Sequence, residues 1–189
     1  MRKLILIVHT SIDGFVAGKN GEFDGFKPSP ENLEFVCSLT DEADAALMGR
    51  VSYEMLESGW PHAWEKPGAT PSEIKYSHWY NAAEKIVISK TLERTNLHNL
   101  TIIPTHIEEE ILKIKKHKGK DILLFGSPTV FQTLADLNVI DEYWIIVYPA
   151  IFGKGILLFS HNSIPKKMTL LNTKQLSNGE IALHYKIEE

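Results

Sequence analysis

The chain has 189 residues, 43% hydrophobic and 23% charged, with one cysteine, Cys37. A chain of this size buries roughly 70% of its unfolded surface as one domain, residues 1–189, and needs no disulfide or metal staple. Twenty Lys+Arg against 24 Asp+Glu leave a net charge of −4, which offers no overall field for nucleic acid or an anionic membrane. A lone cysteine excludes an intrachain disulfide and a cysteine-rich zinc cage and fits a reducing compartment, hence a cytoplasmic location.

The first element is Leu4 to Val8, an apolar run too short for a secretory leader and read as a buried strand. Asp13-Gly14 supplies a turn, with a short extension at Phe15-Val16-Ala17. Ser29-Pro30 combines an N-cap with proline at N1 and opens a helix over Glu31 to Leu39. Ala45 to Met48 is a short strand delivering Gly49-Arg50-Val51-Ser52 to a helix that carries Tyr53, Met55 and Leu56. Pro61 to Pro71 is turn-rich and flanked by Trp60, Trp64, Tyr76, Trp79 and Tyr80, so it reads as an ordered excursion; its aromatics either line a pocket or anchor a loop.

Strands at Ile86 to Ile88 and Leu100 to Ile103 precede a helix over 105–119. There Thr105 and Glu108 match a capping box, and Gly119 suits the C′ position. The Lys113 to Lys118 cluster is the solvated basic end of that helix. Ile122 to Phe125 is the next buried strand, and Gly126-Ser127-Pro128 starts a helix through Leu134. Beyond Asp136 the pattern turns to β: Tyr143 to Tyr148, then Met168 to Leu176 and Ile181 to Ile187 around Asn178-Gly179. In the last strand Ile181, Leu183, Tyr185 and Ile187 alternate with Ala182, His184 and Lys186, as in a half-buried strand. The architecture expected is α/β: a mostly parallel central sheet, helices on both faces, and an antiparallel C-terminal hairpin.

Phosphate-loop, dinucleotide-fingerprint, zinc-protease and nucleophile-elbow motifs are absent, and the eight histidines show no i,i+4 pair, so no metal is expected. Two places share a construction that carries chemistry. Ala45 to Met48 and Ile122 to Phe125 each bring a buried strand to a glycine and then to a helix N-terminus, which favours an anion close to the backbone. Two such termini at one sheet edge can hold a pyrophosphate, with Ser52 and Thr129 adding hydroxyls and Arg50, Ser89 and Lys90 suiting a further phosphate.

Met48-Gly49-Arg50 with Ser52 and Tyr53 resembles the cofactor segment of dihydrofolate reductases, as do Ile86 to Lys90 and Phe125 to Val130. Ser11-Ile12-Asp13-Gly14-Phe15-Val16-Ala17, Val139 to Tyr143 and Pro149 to Gly155 bring it nearer to the bacterial branch shared with the reductase domain of riboflavin biosynthesis. The resemblance runs from Met1 to about Phe159 and implies a three-layer dihydrofolate-reductase-like fold using NADPH. It implies that Gly49, Arg50 and Ser52 meet the adenosine side and pyrophosphate. Ser89 and Lys90 then flank the 2′-phosphate, while Gly126, Ser127, Thr129 and Val130 hold the pyrophosphate and nicotinamide half.

The family's helix carboxylate corresponds to Asn32 here, and its folate-tail base to Ala83. The arginine-rich ribose-phosphate contacts of the riboflavin enzyme are also missing. Asp13, Asp24 and Glu31 are the candidate proton donors, and Phe26 and Trp60 the expected walls of a substrate pocket. The expectation is a reductase passing hydride to a small C=N or C=O substrate of pterin or pyrimidine type. The alternatives are a true dihydrofolate or pteridine reductase and a non-catalytic nucleotide-binding module. The final hairpin is expected to seek cover, which suits a homodimer.

Overall fold

The computed structural model of the chain describes residues 1–22, 26, 29–93, 99–159 and 165–188. The strands are β1 (Leu4–Ser11), β2 (Phe15–Ala17), β3 (Ala43–Gly49), β4 (Glu84–Ile88), β5 (Leu100–Ile103), β6 (Asp121–Phe125), β7 (Glu142–Tyr148), β8 (Ile156–Leu157), β9 (Met168–Gln175) and β10 (Ile181–Ile187). The helices are α1 (Pro30–Thr40), α2 (Arg50–Glu57), α3 (Pro71–Ala82), α4 (Ile107–Lys116) and α5 (Pro128–Asp136). A 3₁₀ turn over Trp60–Glu65 joins α2 to α3.

Eight strands form one sheet in the order β5-β4-β3-β6-β1-β7-β10-β9. The pairings from β5 through β7 are parallel, while β10 runs antiparallel to both β7 and β9. The central strands carry apolar runs, Leu4–Val8, Ala45–Met48 and Ile122–Phe125, because both faces are covered. Ala45 and Leu47 of β3 pack with Ile111 and Ile114 of α4 and Phe131 and Leu134 of α5. Ala46 and Met48 face the other way, onto Tyr53 of α2. Phe35 and Val36 of α1 and Tyr76 and Tyr80 of α3 complete that second layer. Helices α4 and α5 therefore cover one face, and α1, α2 and α3 the other.

Five local expectations need correction. The stretch after Trp60 holds the 3₁₀ turn and the twelve-residue α3. A full capping box joins Thr70 and Glu73 ahead of it, with Pro71 in its first turn. Trp60, Tyr76, Trp79 and Tyr80 pack into the core, Trp60 on Tyr76 at 4.4 Å and Trp79 Nε1–H donating to the Ala43 carbonyl at 2.8 Å, while Trp64 is 45% exposed. The Thr105–Glu108 box does not form. His106, in the left-handed region at φ 53°, precedes α4, and the Thr105 hydroxyl pairs with the His106 ring instead.

Gly119 is no C′ residue, since α4 stops at Lys116; it sits beside the Arg2–Asp44 ion pair, where a Cβ would come within 2.8 Å of Asp44 Oδ2. Lys115 leaves the basic cluster altogether, buried against Asp141 Oδ2 at 2.6 Å and the Val139 carbonyl at 2.9 Å. Finally, β10 is not half-buried by simple alternation. Lying inside the sheet, it buries Ala182 against the α1 layer and packs Tyr185 and Ile187 toward the other, while Ile181 is 43% exposed.

Candidate functional site

The strand order diverges between β3 and β6. From β3 the chain passes through α2 and α3 toward β4, while from β6 it passes through α5 to the far side of β1. Helices α2 and α5 thus leave neighbouring strand ends on opposite faces, which opens a cleft at the carboxyl edge where open α/β sheets bind ligands. The two strand–glycine–helix turns meet across it. Gly49 N–H donates to Ser127 Oγ at 2.8 Å, and Ser52 Oγ lies 2.6 Å from the same oxygen.

Backbone conformation gives the second turn its shape. Gly126 and Ser127 both lie in the left-handed region, at φ 52° each. Glycine takes that conformation at little cost, but a serine there is strained by about 1–2 kcal/mol. The contacts from Gly49 and Ser52 hold it in place. Ser127 is therefore not a side-chain cap of α5; its hydroxyl is turned across the cleft. A Cβ on Gly49 would come within 2.9 Å of Ser127 Oγ and 3.1 Å of Val130 Cγ2, so the close approach requires glycine.

Pro128 has no N–H, but Thr129 and Val130 present first-turn N–H groups without an intrahelical acceptor, and Val51 and Ser52 do so at α2. Both helix starts carry the positive end of a dipole, so this cleft suits an elongated anion. Thr129 and Gly126 are exposed, Val130 is buried, and Ser52 and Ser127 are half-buried.

Arg50 opens α2 and is paired through its guanidinium with both oxygens of Glu54, at 2.9 and 3.0 Å, on the open helix surface. The β3–β4 register places Gly49 opposite Ile88, so Ser89 and Lys90 emerge beside Arg50. Ser89 Oγ accepts N–H groups from Thr91 and Leu92, leaving Lys90 exposed at a depression of about 520 Å³ shared with Thr105, His106 and Glu108. The nine expected cofactor residues thus lie on three neighbouring strand ends.

The expected substrate residues divide. Asp13 is an anchor. Its carboxylate accepts from Ser11 Oγ at 2.6 Å, Phe152 N–H at 3.1 Å and Gly153 N–H at 2.7 Å. The Ser11 bond first, then the two backbone bonds, holds its pKa down at about 2. It is ionised at neutral pH, which corrects its candidacy as a proton donor. The same knot joins the opening and closing motifs: Ile12 N–H reaches the Ala150 carbonyl, and β2 pairs with β8. Gly155 is required there because a Cβ would lie 2.2 Å from the Ala17 carbonyl oxygen.

Glu31 accepts the Ser177 N–H at 2.8 Å and so ties α1 to the hairpin; Asp24 lies outside the described residues. Phe26 packs against Phe152 at 4.9 Å and Tyr148 at 5.7 Å, beside the knot. Trp60 belongs to the α3 cluster instead, so the two expected pocket walls stand in separate aromatic groups.

One group escaped the sequence reading. His9 Nε2 lies 3.0 Å from Asn32 Oδ1, and Asn32 Nδ2 donates to Glu180 Oε2 at 2.5 Å. Asn32 is 4% exposed and Glu180 fully buried. Burial lowers the pKa of His9, against smaller opposing effects of the Asn32 bond and the Glu180 charge. The available signal was a titratable residue on the same strand face as Ile5 and Ile7. Among the described residues no group of three or more His, Cys, Asp or Glu could hold a metal ion. No helix there is long and apolar enough to cross a membrane.

Comparison with known proteins agrees with this fold. The model of the family described as RibD C-terminal domain matches residues 2–182. The uncharacterized protein YyaP of Bacillus subtilis (strain 168) is 30% identical over 185 residues, 97% of this chain and 94% of that protein. A putative riboflavin biosynthesis protein from Shewanella sp. PV-4 superimposes with TM-score 0.74 at 20% identity, covering 100% of both chains. Dihydrofolate reductase from Enterococcus faecalis, complexed with NADP(H), superimposes with TM-score 0.64 at 15% identity over 99% of this chain and 97% of that one. The fold is dihydrofolate-reductase-like.

Proposed function

Because the chain belongs to the RibD C-terminal domain family, we propose that it is an NADPH-dependent reductase acting on a small unsaturated heterocycle of pterin or pyrimidine type. The observation that carries this reading is the Gly49–Ser127–Ser52 junction, where two helix N-termini converge on one cleft and glycine leaves the backbone open. The residues fit a dinucleotide phosphate. Glycine stands where a Cβ would obstruct, donors come from backbone and hydroxyl groups, and Arg50 and Lys90 lie at the adenosine side.

When bound, the reduced nicotinamide supplies hydride to an electrophilic carbon. The chain's own part is positional. The N–H groups of Thr129 and Val130 and the Ser127 hydroxyl hold the pyrophosphate. Arg50, released from Glu54, meets the 2′-phosphate with Ser89 and Lys90. Tyr148, Phe26 and Phe152 form an aromatic wall beyond the β1 edge for a flat substrate.

The reading places the protein with the cytoplasmic NADPH pool. It also pairs two copies through β9, an edge strand exposed along nearly its whole length that carries Leu170 at 50% and Leu171 at 43% exposure. Light scattering on a size-exclusion column checks the dimer.

The test of function is NADPH oxidation followed at 340 nm with 7,8-dihydropterin, dihydrofolate, an aminopyrimidine and a flavin as acceptors. Turnover of one of them supports the reductase. Dihydrofolate turnover that Glu31→Gln abolishes makes it a folate reductase, and NADPH binding without any oxidation makes it a binding module.

A further inference from the structure

Glu180 is fully buried at the turn between β9 and β10, and among the described residues no lysine or arginine lies within ion-pair distance of it. Its carboxylate contacts amides: Asn32 Nδ2 at Oε2 and Asn178 Nδ2 at Oε1, 2.5 and 2.8 Å away. A hairpin turn can be tied to a helix by neutral groups alone, so a buried anion calls for a cationic partner. His9 supplies one.

The network also fixes the histidine's tautomer. Asn32 gives its amide protons to Glu180, so the atom it shows to His9 Nε2 is Oδ1, an acceptor. Nε2 therefore carries a proton, and Nδ1 of the neutral ring presents a lone pair. A second proton taken up at Nδ1 makes an imidazolium that faces Glu180 through Asn32.

The position of this histidine links it to the cleft. Ile7 of β1 pairs with Phe125 of β6, so His9, two residues further along, stands at the level of the Gly126–Ser127 turn. It is half-buried, and Phe26 meets its ring edge-on at 6.4 Å, with Tyr148 and Phe152 behind. Of the charged groups on the elements around it, Glu180 acts on the ring. Glu31 of α1 is turned to the Ser177 N–H, and Asp13 beyond the end of β1 to the loop at 152–153.

We propose that His9 is the catalytic proton donor of the reduction, with Asn32 and Glu180 as positioning residues, an assignment that rests on the reductase reading above. As hydride adds to the carbon of the substrate C=N bond, the π electrons move to nitrogen and take the Nδ1 proton of His9. The nicotinamide is oxidised, the substrate reduced, and neutral His9 regains its proton from water. Burial lowers the ring's proton affinity and so makes the imidazolium a stronger acid, while the Asn32 bond and the Glu180 charge oppose that loss.

The test combines nitrogen-15 NMR of the His9 ring with kinetics on 7,8-dihydropterin, in wild type, Glu180→Gln and His9→Gln. The ring is expected as the Nε2–H tautomer with Nδ1 titrating, and its proton affinity falls at least about threefold in Glu180→Gln. Turnover declines as pH rises through the His9 midpoint, and that decline moves to lower pH in Glu180→Gln. His9→Gln loses about a hundredfold in turnover while binding NADPH within about twofold of wild type. An Nδ1–H tautomer, a midpoint unchanged in Glu180→Gln, or turnover in His9→Gln within about twofold of wild type overturns the assignment. A wild type that fails to bind NADPH overturns the reductase reading and this role with it. NADPH binding with His9→Gln fully active overturns this role alone.

Discussion

The β3–β6 cleft and the β1–hairpin junction share one edge of the sheet and are built from different materials. Inside the cleft the polar groups are backbone N–H and hydroxyl, with Arg50 and Lys90 at the rim, and the glycines set the shape. At the junction they are side chains, with a carboxylate buried among amides and an imidazole at its rim. A backbone site holds any phosphate and depends on what is missing at Cβ. A side-chain relay depends on which atoms are present and where their protons sit. The first arrangement suits binding and the second suits proton chemistry.

The sharpest way to break this contrast is at Gly49. Gly49→Val drives new atoms into Ser127 and Val130, and NADPH affinity is expected to fall about a hundredfold, ~2.7 kcal/mol. Calorimetry on a variant shown folded by circular dichroism reads it. Arg50→Ala probes the charged rim of the same cleft. It should weaken NADPH about tenfold and leave NADH within about twofold, and equal losses would remove Arg50 from the 2′-phosphate.

The junction is sharpened by pH. His9 has a folded-state pKa below its unfolded value of about 6.5, so the unfolded chain binds the proton first. Its contribution favours the folded state above that value and is lost as pH falls, by about 1.4 kcal/mol per unit of separation. Glu180→Gln widens the separation and should make Tm fall more steeply between pH 7.5 and 5.5 than in wild type; a parallel fall contradicts the coupling. The smallest effect is expected at Asp13. Its pKa is depressed, so its bonds persist above about 3.9 and fail only as pH falls toward 2. Asp13→Asn should leave stability at pH 7 little changed while speeding amide exchange at Phe152 and Gly153.

How much could be read from the chain follows the same division. Gly49, Arg50, Ser52, Gly126 and Ser127 are consecutive with the strands that deliver them, so strand–glycine–helix spacing exposes the cleft. The parallel sheet was legible because its central strands are uninterrupted apolar runs. Helix α3 was not, because Tyr76, Trp79 and Tyr80 give no clean apolar stripe and the prolines before them suggest a loop. The Thr70–Glu73 box was the overlooked signal. Nor does any local pattern join His9 to Asn32, 23 residues away, or Asn32 to Glu180, 148 residues away. Asn32 marked the helix position where a carboxylate is missing, and only the fold shows that Glu180 arrives there from the hairpin. Ser127 reads as an N-cap by its place before Pro128, yet its left-handed backbone turns the hydroxyl across the cleft.

NADPH binding at the β3–β6 cleft can be read directly. Trp60, Trp64, Trp79 and Trp144 are built-in reporters, so the direct measurement is a fluorescence titration of the wild-type protein with NADPH and, in parallel, with NADH. Saturable micromolar quenching that favours NADPH is the expected result. A folded protein that binds neither nucleotide would remove the cleft as a cofactor site.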